Sequence, residues 1–267
     1  MSLMLFTPTW SSMTTEQRAE FGRRVDKAMS EHGLAYVKGL VSEQFDEAEC
    51  EVAVRESVLA IGIPSSHDAG GQHLWRIAFK EEESVVPTYS QHNGVAGLHT
   101  DSQYRQHPEE AFALMTVSQA TCGGGESWIL HVDDIIDALL QQPGGEEHFR
   151  ILSEETFPFA SPSIFNLDSG NQERIEVIHA PIFEGREIRY RDDTLRRGIE
   201  ASEPLSDLAS KALQALEQAI HHNPKILRFH AENGTCLYID NKRTLHGRSS
   251  FTDKNRLMLR CRFNRAT

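Results

Sequence analysis

The sequence predicts a mainly β protein with flanking helices, built on a double-stranded β-helix (jelly-roll) core. Three observations carry that expectation. From about residue 70 the chain breaks into short β-prone runs, among them HLWRIAF, AFALMTVSQA, SWILHV, RIEVIHAPIF, ILRFHA, TCLYID and RLMLRCRF. Gly, Asn, Asp and Pro, the chemistry of turns, separate them. Clear helical periodicity, by contrast, is concentrated before residue 60. Eight or more short strands in a chain of 267 residues fit two sheets packed face to face, with helices on the outside.

Taken in order, the first element is a helix over residues 15–31. Thr14 or Thr15 caps it, Phe21, Val25, Ala28 and Met29 form its apolar stripe, and Gly33 stops it. LAYVKGL then reads as a strand, and a second helix covers 42–60. Two further helices interrupt the strands, near 132–141 and 204–222. The second of these presents Leu205, Leu208, Leu213 and Leu216 as core candidates. Residues 1–267 are therefore expected to form a single domain. Its parts are a helical flank over 1–60 and a jelly-roll core over 70–263 with a helical insert near 204–222.

Composition narrows the function. Hydrophobic residues are 39% and charged residues 25%, ordinary for a globular protein. A net charge of −12 argues against nucleic acid or an anionic membrane as partner, since both reward clustered Lys and Arg. No apolar run is long enough to span a bilayer, and residues 1–13 do not resemble a signal peptide. Cys50, Cys122, Cys236 and Cys261 are scattered and form no CxxC pair, which fits a reducing cytoplasm better than a zinc cluster or a disulfide frame. The expected partner is a small-molecule substrate. Oligomeric state stays open, a homo-oligomer included.

The chemistry sits in two segments. GLHTDSQY places His99 and Asp101 two residues apart in a run that reads as a strand end, where i and i+2 side chains share a face. HGRSSF adds His246 after the strand TCLYID. Two imidazoles and one carboxylate on one face of an ion leave three positions open, the arrangement of non-haem iron(II) oxygenases. Three-ligand zinc hydrolases look similar. Alone, an HxD pair is a weak signal, because surface loops supply many.

The wider pattern HTDSQY…GGGES…NKRTLHGRSSF…NRLMLR resembles the taurine dioxygenase and clavaminate synthase superfamily of iron/2-oxoglutarate oxygenases. That family carries HxD, then Thr or Ser about two dozen residues on, a distant His, and an Arg ten or more residues later. Here Ser127 lies 26 positions past Asp101, His246 lies 145 past it, and Arg256 lies ten past His246. The resemblance covers roughly residues 70–263. It implies His99, Asp101 and His246 as metal ligands and catalytic centre. The cofactor set is Fe(II), 2-oxoglutarate and O2, with Arg256 and Ser127 on the far carboxylate of 2-oxoglutarate. Ser stands where most relatives have Thr, and offers the same hydroxyl. A planar guanidinium suits that carboxylate because its fork binds bidentately and stays charged. The second Arg of RxxxR, Arg260, is implied as the substrate anchor, and TYSQHNG offers Tyr89, Ser90 and His92 as lining residues. Arg248 is expected to be structural, and Arg189 and Arg191 are expected to approach the site or form a rim ion pair with Asp192 or Asp193. Retention of Asp101 disfavours halogenation, for which related enzymes carry Gly or Ala there. The resemblance thus implies a dioxygenase hydroxylating an unactivated C–H of a small anionic or zwitterionic substrate, a free amino acid or derivative foremost. A cupin-type metal hydrolase or isomerase remains the alternative, as does an oxygenase of an alkylsulfonate, betaine or aryloxyalkanoate.

Overall fold

The computed structural model describes residues 4–66, 71–79, 90, 92–161 and 176–266. The first segment holds strand β1 (Met4–Phe6), helix α1 (Thr15–His32), β2 (Leu34–Lys38), α2 (Glu47–Leu59) and β3 (Gly62–Pro64). The core strands are β4 (Leu74–Ala78), β5 (Ala96–His99), β6 (Ala111–Ser118) and β7 (Ser127–His131). Next come α3 (Val132–Leu140), α4 (Gly145–Glu154), β8 (Phe157–Ala160), β9 (Val177–Ala180), β10 (Phe183–Glu184) and β11 (Glu187–Ile188). The chain closes with α5 (Asp192–Glu200), α6 (Asp207–His221), β12 (Leu227–Phe229), β13 (Cys236–Asp240), β14 (Thr244–Arg248) and β15 (Leu257–Arg265).

The strands make two principal sheets. The larger runs β1-β2-β13-β6-β15-β3, with β4 also paired to β15. The smaller runs β12-β7-β14-β5. Strand alternation sorts each face. On β15, Leu259, Cys261 and Phe263 join the apolar layer under α1 and α2, whereas Arg260 and Arg262 point the opposite way, into the space between the sheets. Leu34, Phe112, Leu237 and Ile239 of the larger sheet meet Ile129 of the smaller one there. The outer face of the smaller sheet, through Leu98, Leu130 and Leu245, is covered by α3, α4 and α6. The result is helix, sheet, sheet, helix: the expected jelly roll with flanking helices.

Local chemistry explains most boundaries. Thr14 and Gln17 form a reciprocal capping box on α1, and Gly33 ends it at φ 72°. Helix α2 starts at Glu47, later than expected, because the Asp46 side chain accepts from the Glu49 amide while Ser42 bonds the Glu49 carboxylate instead. Helices α4 and α5 have no clear signal in the sequence. QQPGGEE reads as a loop, and DDTLRRGIE has only Leu195 and Ile199 as large apolar residues among five charged ones, too few to establish a period. Gly198 is there for space: a Cβ would lie 2.2 Å from the Pro158 carbonyl oxygen, so α5 approaches β8 only without one. No helix among the described residues is long and apolar enough to cross a membrane.

Candidate metal centre and co-substrate cavity

Strands β5 and β14 run antiparallel with His99 directly opposite His246, which brings their ring centroids to 4.2 Å. Gly247 permits this, since a Cβ there would meet the Ala96 carbonyl oxygen at 2.8 Å. Asp101 reaches the same point by another route. The strand ends at His99, and Asp101 sits in the following turn, so the shared strand face expected for i and i+2 does not apply. Two contacts place it instead. The Thr100 amide donates to the Tyr190 carbonyl. Asn241 accepts from the Asp101 amide at 2.7 Å and donates to the carbonyls of Asp101 and Glu109. Ser102, next in the turn, has φ 56°, the one non-glycine residue with positive φ among those described. Such strain tends to gather at functional sites.

The ligand atoms of His99, Asp101 and His246 all lie within 4.8 Å of one another. Asp101 Oδ1 faces the Nε2 atoms of His99 and His246 at 3.7 and 3.9 Å. The Nδ1 of His99 lies 2.7 Å from the Gly97 carbonyl, which assigns the proton to Nδ1 and the lone pair to Nε2. Burial, helped by the Arg191 guanidinium, pulls His99 down to about 4. Burial, then the neighbouring His99, carries His246 well below its ordinary value. For Asp101, burial opposes ionisation, yet Arg260 and Arg262 overcome it and hold the carboxyl well below its usual range. Two neutral imidazoles and a carboxylate are the protonation states a divalent transition metal needs. The residues present fit iron(II).

A cavity of about 470 Å³, counting its open mouth, adjoins the triad. His99, His246, Ser127, Arg256, Arg260 and Ser90 all contribute to its wall. Arg256 is the odd group in it. The side chain is buried, its Nη2 meets only the thioether of Met258, and Nη1 has no hydrogen-bond partner among the described residues. Burial lowers it to about 10, so it stays charged at neutral pH. A buried guanidinium without a counter-anion is costly. The orphaned Nη1 therefore fits a carboxylate from outside the chain, as the far end of 2-oxoglutarate would supply. The GGGES segment makes the room: Gly125, at φ 77°, would place a Cβ 3.1 Å from Arg256 Nε. Backbone bonds from Gly125 to Ser250 and from Ser249 to Glu126 tie the Ser127 strand to the segment leading to Arg256.

Arg260 faces the cavity as expected, but it is not an unpaired cation waiting for an anion. Its Nη1 lies 2.8 Å from Asp101 Oδ2, and Arg262 Nε lies 3.1 Å from the same oxygen. Sequence reasoning missed Arg262 and Asn241. The alternation Arg260-x-Arg262 on one strand was the signal for the first; a lone Asn after TCLYID gave none for the second. Arg248 donates to the carbonyls of His92 and Gly94, a structural role. Arg191 pairs with Asp193, and Arg189 caps the carbonyls of Gln103 and Arg105. His92 stands near Arg248 and Arg191, and burial followed by those charges lowers its pKa. Tyr89 lies outside the described residues. A larger cleft behind Asp101, lined by Glu110, Glu184, Glu187 and Lys242, has neither His99 nor His246 in its wall.

Residues 9–262 match the family described as taurine catabolism dioxygenase TauD, TfdA family. The chain belongs to the TauD/TfdA family. Among curated relatives, this TauD/TfdA protein is 26% identical to a glutarate 2-hydroxylase of Citrobacter koseri over 219 residues, covering 79% of this chain and 60% of that one. A glutarate 2-hydroxylase of Klebsiella pneumoniae is 26% identical over 228 residues, covering 82% and 63%. The chain thus spans less than two thirds of the length of these relatives. Among solved structures, asparagine oxygenase in complex with Fe(II), 2S,3S-3-hydroxyasparagine and succinate superposes with a TM-score of 0.66 at 17% identity, covering 96% of this chain and 81% of that one. The non-haem iron oxygenase OrfP, in complex with Fe and alpha-ketoglutaric acid, gives 0.69 at 18%, covering 94% and 80%. At such identities the structural likeness establishes the jelly-roll fold.

Asn241 supplies a prediction independent of substrate. Replacing it with Ala frees the Asp101 turn and leaves the Asp101 amide and the Glu109 carbonyl without their partner. Affinity for Co(II) or Fe(II) should fall by about 10–100-fold, the usual effect of losing a group that orients a ligand. Metal titration of the variant checks this, and an unchanged isotherm would show that Asn241 does not set the ligand's pose.

Proposed function

We propose that this protein is an iron(II)- and 2-oxoglutarate-dependent dioxygenase that hydroxylates a C–H bond of a small carboxylate-bearing molecule, a free amino acid or close derivative. One observation carries the reading: the buried Arg256, whose Nη1 has no hydrogen-bond partner among the described residues, shares a cavity wall with His99 and His246 of the triad. A buried cation placed to receive a carboxylate beside the metal site favours a 2-oxoglutarate oxygenase over a metal hydrolase or isomerase of the same fold. The overall change is R–H + 2-oxoglutarate + O2 → R–OH + succinate + CO2.

When bound, iron(II) and 2-oxoglutarate supply the activation of O2 and the attack on the C–H bond. The protein's part is positioning. His99, Asp101 and His246 would hold the metal through one ligand atom each, which would leave positions for co-substrate and O2. Arg256 and Ser127, both in the cavity wall, would hold the far carboxylate of 2-oxoglutarate. Ile77, Leu114 and Met258 in the cavity wall keep the site dry. For the substrate we assign Arg260 and Ser90 of the cavity wall, together with Tyr89 and His92. Arg260 Nε, which has no hydrogen-bond partner among the described residues, is the atom that would take the substrate's carboxylate. The names of the relatives agree with this class: glutarate 2-hydroxylase, asparagine oxygenase, and an OrfP variant in complex with (3S)-hydroxy-L-Arg. The unpaired cysteines, three of them buried, support a cytoplasmic setting.

The test is a panel of amino acids and small mono- and dicarboxylates with Fe(II), 2-oxoglutarate and O2. Succinate release above the substrate-free background, matched by a product 16 mass units heavier, is expected for a member of that class. Stimulation by alkylsulfonates alone would move the substrate assignment. Failure to bind 2-oxoglutarate at all would return the protein to the hydrolase class.

A further inference from the structure

Asp101 is held by more cations than a ligand carboxylate needs. Both Arg260 and Arg262 converge on Oδ2, while Oδ1 is turned to the two imidazoles. The two guanidiniums differ in what else they see. Arg260 belongs to the cavity wall, and its Nε has no partner among the described residues. Arg262 is not in that wall. Its backbone is clamped between Phe112 of β6 and the Ser65 amide. Glu109, a buried carboxylate that takes Arg105 at 2.8 Å and Ser65 at 3.2 Å, favours the charged form of Arg262 through space, with no hydrogen bond between them among the described residues. Asp101, Arg262, Glu109 and Arg105 thus alternate in sign, with direct ion pairs at Asp101–Arg262 and Glu109–Arg105.

We propose that Arg262 is a positioning residue of the metal centre, occupying Oδ2 of Asp101 so that Oδ1 alone is offered to the metal, with Glu109 as its counter-anchor and Arg260 dispensable for that task. An unrestrained carboxylate can turn and bind through both oxygens, which would consume a coordination position that the proposed reaction needs. A charge-assisted bond to one oxygen, from a side chain packed on a central strand, prevents the turn. Arg262 suits the role because its partner from behind is buried and its strand cannot shift without breaking the larger sheet. The inference rests on the metal-site part of the proposed function and on none of its substrate assignments.

The experiment is Co(II) titration of the full chain, without 2-oxoglutarate or substrate, following the visible d–d bands and the melting temperature of the apo protein. Arg262→Gln is expected to weaken Co(II) by about 10–100-fold and to change the band shape. Arg262→Lys, which keeps the charge, should recover most of the affinity. Arg260→Gln should lose less than about threefold, because Arg262 still holds Oδ2. If Arg262→Gln does not fold, Glu109→Gln takes its place, and a few-fold loss of Co(II) affinity at near-normal apo stability is expected. Normal Co(II) affinity and spectrum in Arg262→Gln, or in Glu109→Gln where that is the variant used, overturn the proposal. So does an equal loss in Arg260→Gln, which would make the two arginines a single undivided clamp. Absence of any Co(II) site in the parent protein would instead defeat the functional reading itself.

Discussion

Alanine at His99 or His246 is expected to abolish metal binding while leaving the apo protein folded. Alanine at Asp101 is expected to do both kinds of damage. Each histidine supplies one of three ligand atoms, and no other His, Cys or carboxylate among the described residues completes such a group, so water would have to fill the vacancy. Affinity for Fe(II) should drop by more than about 100-fold, beyond what loss of an orienting neighbour costs. The weak visible charge-transfer band of the anaerobic iron/2-oxoglutarate complex should disappear. Burial keeps both imidazoles neutral, so truncating either strands no buried charge and the melting temperature of the apo protein should move less than in Asp101→Ala. Asp101 differs because Arg260 and Arg262 depend on it. Removing it strands two buried guanidiniums, a loss of about 3–5 kcal/mol when one partner of a buried pair is deleted. That is roughly a 6–20 °C fall in melting temperature for a chain of this size. Full turnover and an intact band in both histidine variants would remove the metal assignment. An apo Asp101→Ala as stable as the parent would mean the arginines find other partners.

Much of this was legible in the sequence, for identifiable reasons. Strand alternation and turn residues are local signals, so the two-sheet core and the capped α1 followed from them. The triad followed from spacing within one segment plus a second, distant histidine. The route by which Asp101 arrives did not. The pleat argument needs a strand that continues past His99, whereas the turn there is imposed by Tyr190 and Asn241, residues about 90 and 140 positions away. Long-range hydrogen bonds of that kind leave no periodic trace. Arg260 shows the same limit from the other side. Its face was readable from i, i+4 spacing to Arg256, but its partner was not, because a carboxylate assigned to the metal does not also suggest itself as the counter-ion of a distant arginine. Helices α4 and α5 escaped because each is short, 10 and 9 residues, so the apolar face that packs on α6 or β8 (Phe149, Ile151 and Leu152; Leu195 and Ile199) has too few positions to read as a period.

Alanine at Arg256 should raise the apparent Michaelis constant for 2-oxoglutarate by more than about tenfold, leave Fe(II) affinity near normal, and not destabilise the apo protein. The three effects have one cause. With co-substrate present, the guanidinium meets a carboxylate in a desolvated site, and truncating such a pair costs about 2–5 kcal/mol, that is, roughly 30-fold or more. Without co-substrate there is no such pair to lose: Nη1 has no partner among the described residues and Nη2 has only a thioether, a weak acceptor. Removing a buried cation in that state relieves a desolvation penalty and forfeits packing on the Phe251 ring, whose centroid lies 5.1 Å from the guanidinium carbon. The two terms oppose, so the apo melting temperature should stay within a few degrees of the parent, unlike that of Asp101→Ala. The metal is untouched because Arg256 contacts none of its ligands. Steady-state kinetics in 2-oxoglutarate, anaerobic Fe(II) titration and a thermal melt read the three effects separately. A variant with an ordinary response to 2-oxoglutarate, alongside Arg260→Ala with none, would show that Arg260 holds the co-substrate and Arg256 the substrate. A large loss of apo stability would show that Arg256 belongs to the fold and that its partner lies within the chain.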